Sequence, residues 1–201
     1  MDLRDKLNYY HSGSAVSESS QVKKSSIIEL TKELEGDLLG SSSAKIIKIN
    51  HTFPVDNLIY NIDLETSGYL YIPLLSRGKF TQKIKLDEMV FFDLETTGLA
   101  GGTGTYPFLL AFGFFEDSNL NLIQYFLPDY GREITAFLDM KDHFQQKSIL
   151  VSYNGKSFDY PLLRNRFVLN RLEDPFNTFK HLDLLHFVRR LWKNRLNNCS
   201  L

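Results

Sequence analysis

The chain has 201 residues, of which 43% are hydrophobic and 23% are charged, and its 23 basic and 24 acidic side chains nearly cancel. This composition is typical of one globular domain with some additional chain and excludes a disordered polymer. The single cysteine, Cys199, excludes both a disulfide-stapled scaffold and a four-cysteine zinc site, and it favours a reducing, cytoplasmic setting. The first residues lack the apolar core of a signal peptide, and no apolar run approaches the roughly 20 residues of a membrane helix.

The first 84 residues are predicted to form an extension with little independent structure. Residues 11–26 are rich in serine and poor in large apolar side chains, which is typical of a linker. Residues Ile27–Leu39 have apolar side chains near helical spacing and are followed by Gly40, which predicts a short amphipathic helix. From there to Phe80, strand-like pieces are interrupted by proline and glycine, and we assign this stretch no independent function.

The compact domain is predicted to span residues 85–201. Its first half contains three long apolar segments that are typical of strands, Met89–Glu95, Phe108–Phe115 and Leu120–Leu127. A tight turn at residues 116–119 joins the last two segments. Three strands in succession favour an antiparallel meander.

The second half of this domain alternates between helix and strand patterns. A helix is predicted around Ile134, Phe137 and Leu138, and a fourth strand over residues 149–153. A second helix follows over residues 157–170, with Leu162, Leu163, Phe167 and Val168 facing inward. The segment from Leu182 to Leu196 is predicted to be partly helical. Together these patterns predict an α/β domain with a mixed sheet and flanking helices.

Two acidic residues end the first of these strands. Asp93 and Glu95 follow four consecutive apolar residues, and side chains two apart on a strand point to the same face. Paired carboxylates at the end of a buried strand repel each other and lose hydration, unless a cation or hydrogen-bond donors offset the cost. The pair therefore fits either a Mg²⁺ or Mn²⁺ site or an exposed strand end with two solvated acids.

The same Asp-Leu-Glu-Thr string also occurs at residues 63–66. There it follows a broken pattern instead of an apolar strand, and no glycine-rich turn and meander come after it. Asp63 and Glu65 are therefore interpreted as a copy without a site.

A third acid, Asp159, lies at the junction between the fourth strand and the next helix. Ser157 is predicted to cap that helix, which places Asp159 in the first turn, where an acid favours the helix dipole by a few tenths to about 1 kcal/mol. The carboxyl ends of parallel strands meet at one edge of an α/β sheet, so Asp93, Glu95 and Asp159 are expected to converge. Helix capping does not require three acids in one place.

These residues carry a resemblance to a known family. Residues 92–99, Phe-Asp-Leu-Glu-Thr-Thr-Gly-Leu, resemble the first exonuclease motif of the DEDD superfamily, and residues 154–159, Asn-Gly-Lys-Ser-Phe-Asp, resemble its second. With the glycine-rich residues 100–106 and the segments His181–His186 and Arg189–Trp192, the match narrows to the YprB-like ribonuclease H-like domain family. The resemblance covers roughly residues 89–201 and implies a ribonuclease H-like fold.

The resemblance also implies an activity, metal-dependent hydrolysis of DNA or RNA phosphodiesters in the 3'-to-5' direction. Asp93, Glu95 and Asp159 are carried over as catalytic metal ligands, with two Mg²⁺ or Mn²⁺ ions expected in a complete site. Two such ions can activate a water and stabilise the leaving oxygen. The expected partner is single-stranded nucleic acid, without a membrane.

Contacts to nucleic acid are predicted around the two motifs and in the basic tail. Residues 160–201 contain 8 basic and 3 acidic side chains, a local excess that fits phosphate binding as well as a solvated helix face. Phe158 and Trp192 are expected to pack in the core, and His181 and His186 are expected to be structural. The predicted nucleic-acid-binding residues are Thr96, Asn154, Lys156 and Tyr160.

The sequence departs from the superfamily pattern at its end. The pattern requires a fourth aspartate, with a histidine or tyrosine that orients the attacking water, in a third motif that does not occur before Leu201. Asp183 is the only acid after Asp174, and similar sequences have it on a strand-like segment. The chain is therefore expected to be a fragment or a truncated form with an incomplete C-terminus. Three alternatives remain: an active nuclease, a nucleic-acid-binding module without catalysis, and a defective product that aggregates.

Overall fold

A computed structural model describes residues 26–41, 44–55, 69–70, 84–98, 104–192 and 195. The chain divides into two compact units, residues 1–35 and residues 36–201. Several sequence predictions lie outside the described residues: most of the linker, Asp63 and Glu65, residues 100–103 of the glycine-rich segment, and Cys199.

The described part of the first unit contains helix α1, Ile27–Glu33. Ser26 begins it with a capping box, in which the Ser26 hydroxyl accepts the Glu29 N–H at 3.2 Å and the Glu29 carboxylate accepts the Ser26 N–H at 2.8 Å. Ser26 is therefore a helix cap and not the end of a linker. The helix is shorter than predicted, because Glu35 adopts a left-handed φ of 53° that ends helical geometry.

Nine strands lie in the described ranges. They are β1 (Asp37–Leu39), β2 (Ile46–Pro54), β3 (Tyr69–Leu70), β4 (Ile84–Lys85), β5 (Met89–Thr96), β6 (Pro107–Glu116), β7 (Asn119–Phe126), β8 (Ile149–Ser152) and β9 (Lys180–Asp183). Seven of them form one sheet in the order β1-β2-β7-β6-β5-β8-β9, and β3 pairs with β4.

The large sheet is mixed, as predicted. Strands β5, β6 and β7 form the antiparallel meander, whereas β8 runs parallel to β5 and β9 runs parallel to β8. Asp117 and Ser118 connect β6 to β7 with positive φ angles of 48° and 59°, which suits the twist of a two-residue hairpin turn. The predicted α/β fold with a mixed sheet is confirmed.

Strand β2 contradicts the prediction that the compact domain starts at residue 85. It pairs with β7 over eight positions, from Ile47 opposite Phe126 to Pro54 opposite Asn119. The compact unit accordingly begins at Gly36. The sequence shows no clear period here because only the first half of β2 is mainly buried, whereas residues 50–54 are exposed.

Three helices accompany this sheet in the described part of the second unit. They are α2 (Glu133–Met140), α3 (Asp159–Leu169) and α4 (Leu184–Trp192), with single 3₁₀ turns at Leu86–Glu88 and Lys141–Phe144. The predicted helix around Ile134, Phe137 and Leu138 is α2, on which Phe137 is buried, whereas Leu138 is 58% exposed and Ile134 is also exposed. On α3, Val168 is 66% exposed, so its predicted inward orientation is wrong.

Apolar side chains cover both faces of the central strands. On one face, β5, β6 and β7 pack with α2, α3 and Phe176 in a cluster that includes Phe92, Phe112 and Tyr125. On the other face, Met89 and Val151 belong to a smaller cluster. Because both faces of β5 and β8 are largely covered, polar side chains concentrate where these strands end.

Candidate active site

The carboxyl ends of three parallel strands meet at one edge of the sheet. Phe91 of β5 pairs with Val151 of β8, and Ser152 of β8 pairs with Asp183 of β9. The residues that follow these pairs therefore come together in space, as expected at the functional edge of an α/β sheet.

Asp93 and Glu95 occupy this edge on β5. Asp93 is exposed, Glu95 is half-buried, and the intervening Leu94 is buried in the core. This alternation places both acids on the face opposite Leu94, as the sequence predicts. The pairing with β6 shifts its register between Glu95 and Thr96, which ends the regular ladder just after the acidic pair.

Asp159 is the first residue of α3 and is half-buried. Burial is the largest of the effects that raise its pKa from 3.8 to about 6, and the negative charges of Asp93, Asp183 and Glu95 contribute the rest, in that order. The three predicted acids are thus close enough for their charges to interact. This interaction is consistent with the expectation that Asp93, Glu95 and Asp159 lie near one another.

The start of α3 differs from the prediction. Phe158, not Ser157, occupies the N-cap position, and no side-chain hydrogen bond caps the helix there. The helix begins instead with the Tyr160 N–H, which donates to the Gly155 carbonyl at 2.8 Å. Phe158 is 60% exposed, so its expected place in the core is wrong.

The loop between β8 and α3 approaches Asp159 closely. Asn154 has a left-handed φ of 65°. A Cβ atom added at Gly155 would lie 2.8 Å from the Ser152 Cβ and 2.9 Å from the Asp159 Oδ2. Only glycine fits at residue 155 without displacing the Asp159 carboxylate.

Asp183, at the end of β9, interacts with the same loop. Its Oδ1 accepts the N–H groups of Asn154 at 2.8 Å and Leu185 at 3.0 Å, and its Oδ2 accepts the Lys156 N–H at 3.1 Å. Both carboxylate oxygens are thus engaged by backbone donors. Asp183 was predicted on a strand-like segment, but its two bonds to the loop were not predicted, because they join residues 27 and 29 positions apart.

His181 forms a second contact between β8 and β9 that the sequence did not reveal. Its Nε2 lies 2.8 Å from the Ser152 Oγ, and its ring packs against Phe92 and Tyr160. Burial and the nearby Lys156 charge together lower the pKa of His181 to about 4, against a smaller opposing effect of Asp183. The imidazole is therefore neutral at physiological pH, in agreement with a structural role.

The four predicted nucleic-acid-binding residues lie in different environments. Thr96 donates its hydroxyl to the Gly98 carbonyl at 3.0 Å. Asn154 and Lys156 are exposed beside the acidic edge. Tyr160 packs against the core and donates its hydroxyl to Asp174 at 2.9 Å, which does not support the predicted stacking on a base.

The basic segment on α4 is also exposed. Arg189 and Arg190 lie at the surface, and the Arg190 guanidinium lies 5.6 Å from the centre of the Phe187 ring. Trp192 is exposed and contacts the edge of Phe187, so its predicted place in the core is wrong. His186, predicted to be structural, is also exposed.

The donor set of this edge fits a hard divalent cation in chemistry. Carboxylate oxygens are the ligands that Mg²⁺ and Mn²⁺ prefer, and burial together with the charges of Asp93, Asp183 and Glu95 disfavours the ionised form of Asp159, a cost that a bound cation would offset. As the side chains stand, no group of three or more His, Cys, Asp or Glu residues in the described ranges is arranged to hold a metal ion. Binding would require the carboxylates to turn toward a common ion.

Comparison with known proteins is consistent with this fold and this edge. A family model described as RNase_H superfamily matches residues 90–201. The chain is also 40% identical, over 116 residues, to a Bacillus subtilis (strain 168) protein called "Uncharacterized protein YprB". That alignment covers 57% of this chain but only 28% of the relative's length. Within the described ranges, every helix is too short or too polar to cross a bilayer. The matched region contains Asp93, Glu95, Asp159 and the strands that carry them, and the chain belongs to the RNase H superfamily.

Proposed function

We propose that this protein is a metal-dependent nuclease that hydrolyses phosphodiester bonds at the edge formed by β5, β8 and β9. Membership of the RNase H superfamily implies a nucleic-acid substrate and a nuclease-like activity. The observation that carries the proposal is the interaction of the Asp159 carboxyl with the charges of Asp93 and Glu95, which come from a different strand. Clustered carboxylates with a perturbed pKa at a sheet edge are typical of catalytic sites.

Each acidic residue has a defined role in this proposal. Asp93, Glu95 and Asp159 hold Mg²⁺ or Mn²⁺, two ions in a complete site, and bound ions would activate a water and stabilise the leaving oxygen. Without an ion, burial of Asp159 and repulsion from the neighbouring acids raise its pKa to about 6, which keeps a minor part of the Asp159 population protonated near neutral pH. Lys156 is exposed beside them and contacts a substrate phosphate.

The experiment that tests the proposal measures cleavage of labelled DNA and RNA with Mg²⁺, with Mn²⁺ and with EDTA. Asp93→Asn and Asp159→Asn remove a metal ligand with little change in side-chain volume. Asp87→Asn is the matched control, because Asp87 is an exposed acid that precedes the opposite end of β5. We expect EDTA and both site variants to lower the rate by at least about 100-fold, since metal ligands and water activation supply effects of this order. Cleavage that EDTA and Asp93→Asn leave unchanged would contradict the proposal.

We further propose that cleavage proceeds from the 3' end of a single strand. The support is the resemblance of residues 92–99 and 154–159 to the two exonuclease motifs. Substrates labelled at the 5' end should yield a ladder that shortens one nucleotide at a time. A circular single strand should resist cleavage, and its rapid cutting would show an endonuclease instead.

A nucleic-acid-binding module without catalysis is the second candidate. The exposed cations Lys156, Arg189 and Arg190 favour it, and so does the present arrangement of the carboxylates, in which no described group of three can hold a metal. Binding of this kind depends on salt and survives Asp93→Asn, because phosphate contacts come from basic side chains. Tight binding at low salt with no cleavage under any metal condition would favour this candidate over the nuclease.

A further inference from the structure

Asp183 connects three backbone segments through one side chain. It ends β9 beside Ser152, the last residue of β8. Its carboxylate accepts the Asn154 N–H at 2.8 Å, the Lys156 N–H at 3.1 Å and the Leu185 N–H at 3.0 Å. The bond to Leu185 caps the start of α4, and the other two hold the loop after β8.

That loop has a conformation that needs external support. Asn154 has a φ of 65°, in the left-handed region that costs free energy for a residue with a side chain. Such a residue is retained where surrounding contacts determine the backbone. The Asn154 and Lys156 amides point at one carboxylate, and this pair of bonds supplies such contacts.

The loop in turn determines the position of Asp159. The space where a Gly155 Cβ would lie is 2.9 Å from the Asp159 Oδ2, so the loop at Gly155 lies close beside that carboxylate. The Gly155 carbonyl accepts the Tyr160 N–H at 2.8 Å and thereby begins α3. A shift of residues 154–156 would move both the carboxylate and the start of its helix.

We propose that Asp183 is a positioning residue, which holds residues 154–156 and thereby places the Asp159 carboxylate for metal binding. In this proposal Asp183 is not itself a metal ligand. Three N–H donors already occupy three of the roughly four acceptor positions of its carboxylate, so turning the side chain toward an ion would release the loop. The inference rests on the proposed function for the role of the metal, whereas the control of the loop stands on the hydrogen bonds alone.

Two substitutions of Asp183 distinguish the effects of its three hydrogen bonds, because each variant removes a different subset of them. Asp183→Ser leaves a hydroxyl that caps Leu185 but is too short for the loop. Asp183→Asn keeps the Oδ1 acceptor for Asn154 and Leu185 and replaces the acceptor for Lys156 with an NH₂ donor. Both variants lose the same charge, so an effect of charge alone would be equal in the two. Asp87→Ser is the control, an exposed aspartate in the 3₁₀ turn before β5.

The readouts are amide hydrogen exchange by NMR and Mn²⁺ affinity by electron paramagnetic resonance of the free ion. In Asp183→Ser we expect exchange at Asn154 and Lys156 to accelerate by about tenfold or more, the scale of one lost hydrogen bond, with Leu185 unchanged. In Asp183→Asn only the Lys156 amide should accelerate. Mn²⁺ affinity should fall in the order wild type, Asn, Ser, with the control equal to wild type.

Several outcomes would overturn the inference. Unchanged exchange at Asn154 and Lys156 in Asp183→Ser would show that the side chain does not hold the loop. Faster exchange with unchanged Mn²⁺ affinity, or equal loss of affinity in both variants, would show that the loop does not position Asp159. If Asp183→Ser does not fold, the exchange rate of the Lys156 amide in Asp183→Asn tests the inference. An unchanged rate there would show that the Asp183 side chain does not hold the loop. A wild-type protein that binds no Mn²⁺ would contradict the proposed function, and the exchange data would still decide whether Asp183 holds the loop.

Discussion

Glu133 of α2 forms an ion pair with Arg166 of α3, and the Glu133 side chain is fully buried. The second carboxylate oxygen of Glu133 and the Nε of Arg166 are buried without a hydrogen-bond partner among the described residues. Because Glu133 lies on α2 and Arg166 on α3, this ion pair connects the two helices that cover one face of the sheet. A buried ion pair costs desolvation of both charges and stabilises the fold only while both partners are present.

Removing one partner of this ion pair should strongly destabilise the protein. Glu133→Leu or Arg166→Leu leaves the other charge buried and unpaired, which typically costs about 3–5 kcal/mol. The double variant should recover much of this loss, because neither charge then remains. Urea unfolding of the three variants measures the effect. Single variants as stable as wild type would show that the helices are not coupled through this pair.

A second polar cluster joins β2 to α2. Asp139 accepts the Tyr125 hydroxyl at 2.6 Å and the Lys48 ammonium at 2.6 Å. Burial opposes ionisation of Asp139, but the bonds from Lys48 and Tyr125 outweigh it and hold the pKa of Asp139 below its ordinary value.

Lys48→Met should therefore lower the free energy of unfolding by about 1–3 kcal/mol, the cost of leaving a partly buried acceptor without its charged donor. The exposed Lys141→Met is the control for loss of one positive charge. Equal thermal midpoints of the two variants would contradict a structural role of β2 in the domain.

Gly155→Ala should disturb the candidate site with a single methyl group. The added Cβ would lie 2.8 Å from the Ser152 Cβ and 2.9 Å from the Asp159 Oδ2, which is too close for either atom. We expect a lower thermal midpoint and at least about tenfold weaker Mn²⁺ binding, because overpacking of about 1–3 kcal/mol must move the Asp159 carboxylate or the strand end. Gly104→Ala is the control, since no atom of the described residues lies within 4 Å of the added Cβ. Unchanged Mn²⁺ affinity in Gly155→Ala would show that this close approach does not determine the site.

Asp159→Asn should stabilise the protein in the absence of divalent ions. The folded pKa of Asp159 is about 6 against an ordinary 3.8, so the folded state binds this proton more tightly than the unfolded state does. The stability that protonated Asp159 contributes to the wild-type protein is therefore fully present below about pH 3.8. It is lost as pH rises from about 3.8 to about 6, and it is absent above that range.

In EDTA, the advantage of Asp159→Asn should thus be largest above pH 6 and should vanish below pH 4. Its upper limit is about 3 kcal/mol, from about 1.4 kcal/mol for each unit of pKa. Saturating Mn²⁺ should reverse the order, since an ion bound only to the folded wild type adds stability. If Asp159→Asn is less stable than wild type at pH 8 in EDTA, burial and the neighbouring charges do not destabilise the ionised Asp159 carboxylate.

Sequence patterns predicted the central strands because these are continuous apolar segments with glycine or acidic turns between them. Met89–Thr96 and Pro107–Glu116 lie in the middle of the sheet, where both faces are mostly covered and the pattern is simple. Strand β2 was not predicted, because it lies near the edge of the sheet and half of it is exposed. Its register depends on pairing with β7, which is distant in sequence.

The acidic residues of the proposed site were predicted from the sequence, but the contacts around them were not. Asp93 and Glu95 follow from the two-residue period of a strand, which is local. The bonds of Asp183 to the loop and of His181 to Ser152 join residues 27 to 29 positions apart and depend on the register of β8 and β9. The prediction that Ser157 caps α3 was wrong, since Phe158 occupies the N-cap position. The preference of serine for this position is local and does not include the constraint that Gly155 and Asp183 place on the backbone.

Anomalous diffraction from crystals grown with Mn²⁺ tests most directly whether Asp93, Glu95 and Asp159 bind a metal ion. We expect an anomalous peak at the edge of β5 and β8, within bonding distance of carboxylate oxygens from these three residues. Crystals of Asp93→Asn grown in the same way should show a weaker peak or none. Saturating Mn²⁺ without a peak at this edge, or a peak that these three carboxylates do not touch, would contradict the proposed metal site.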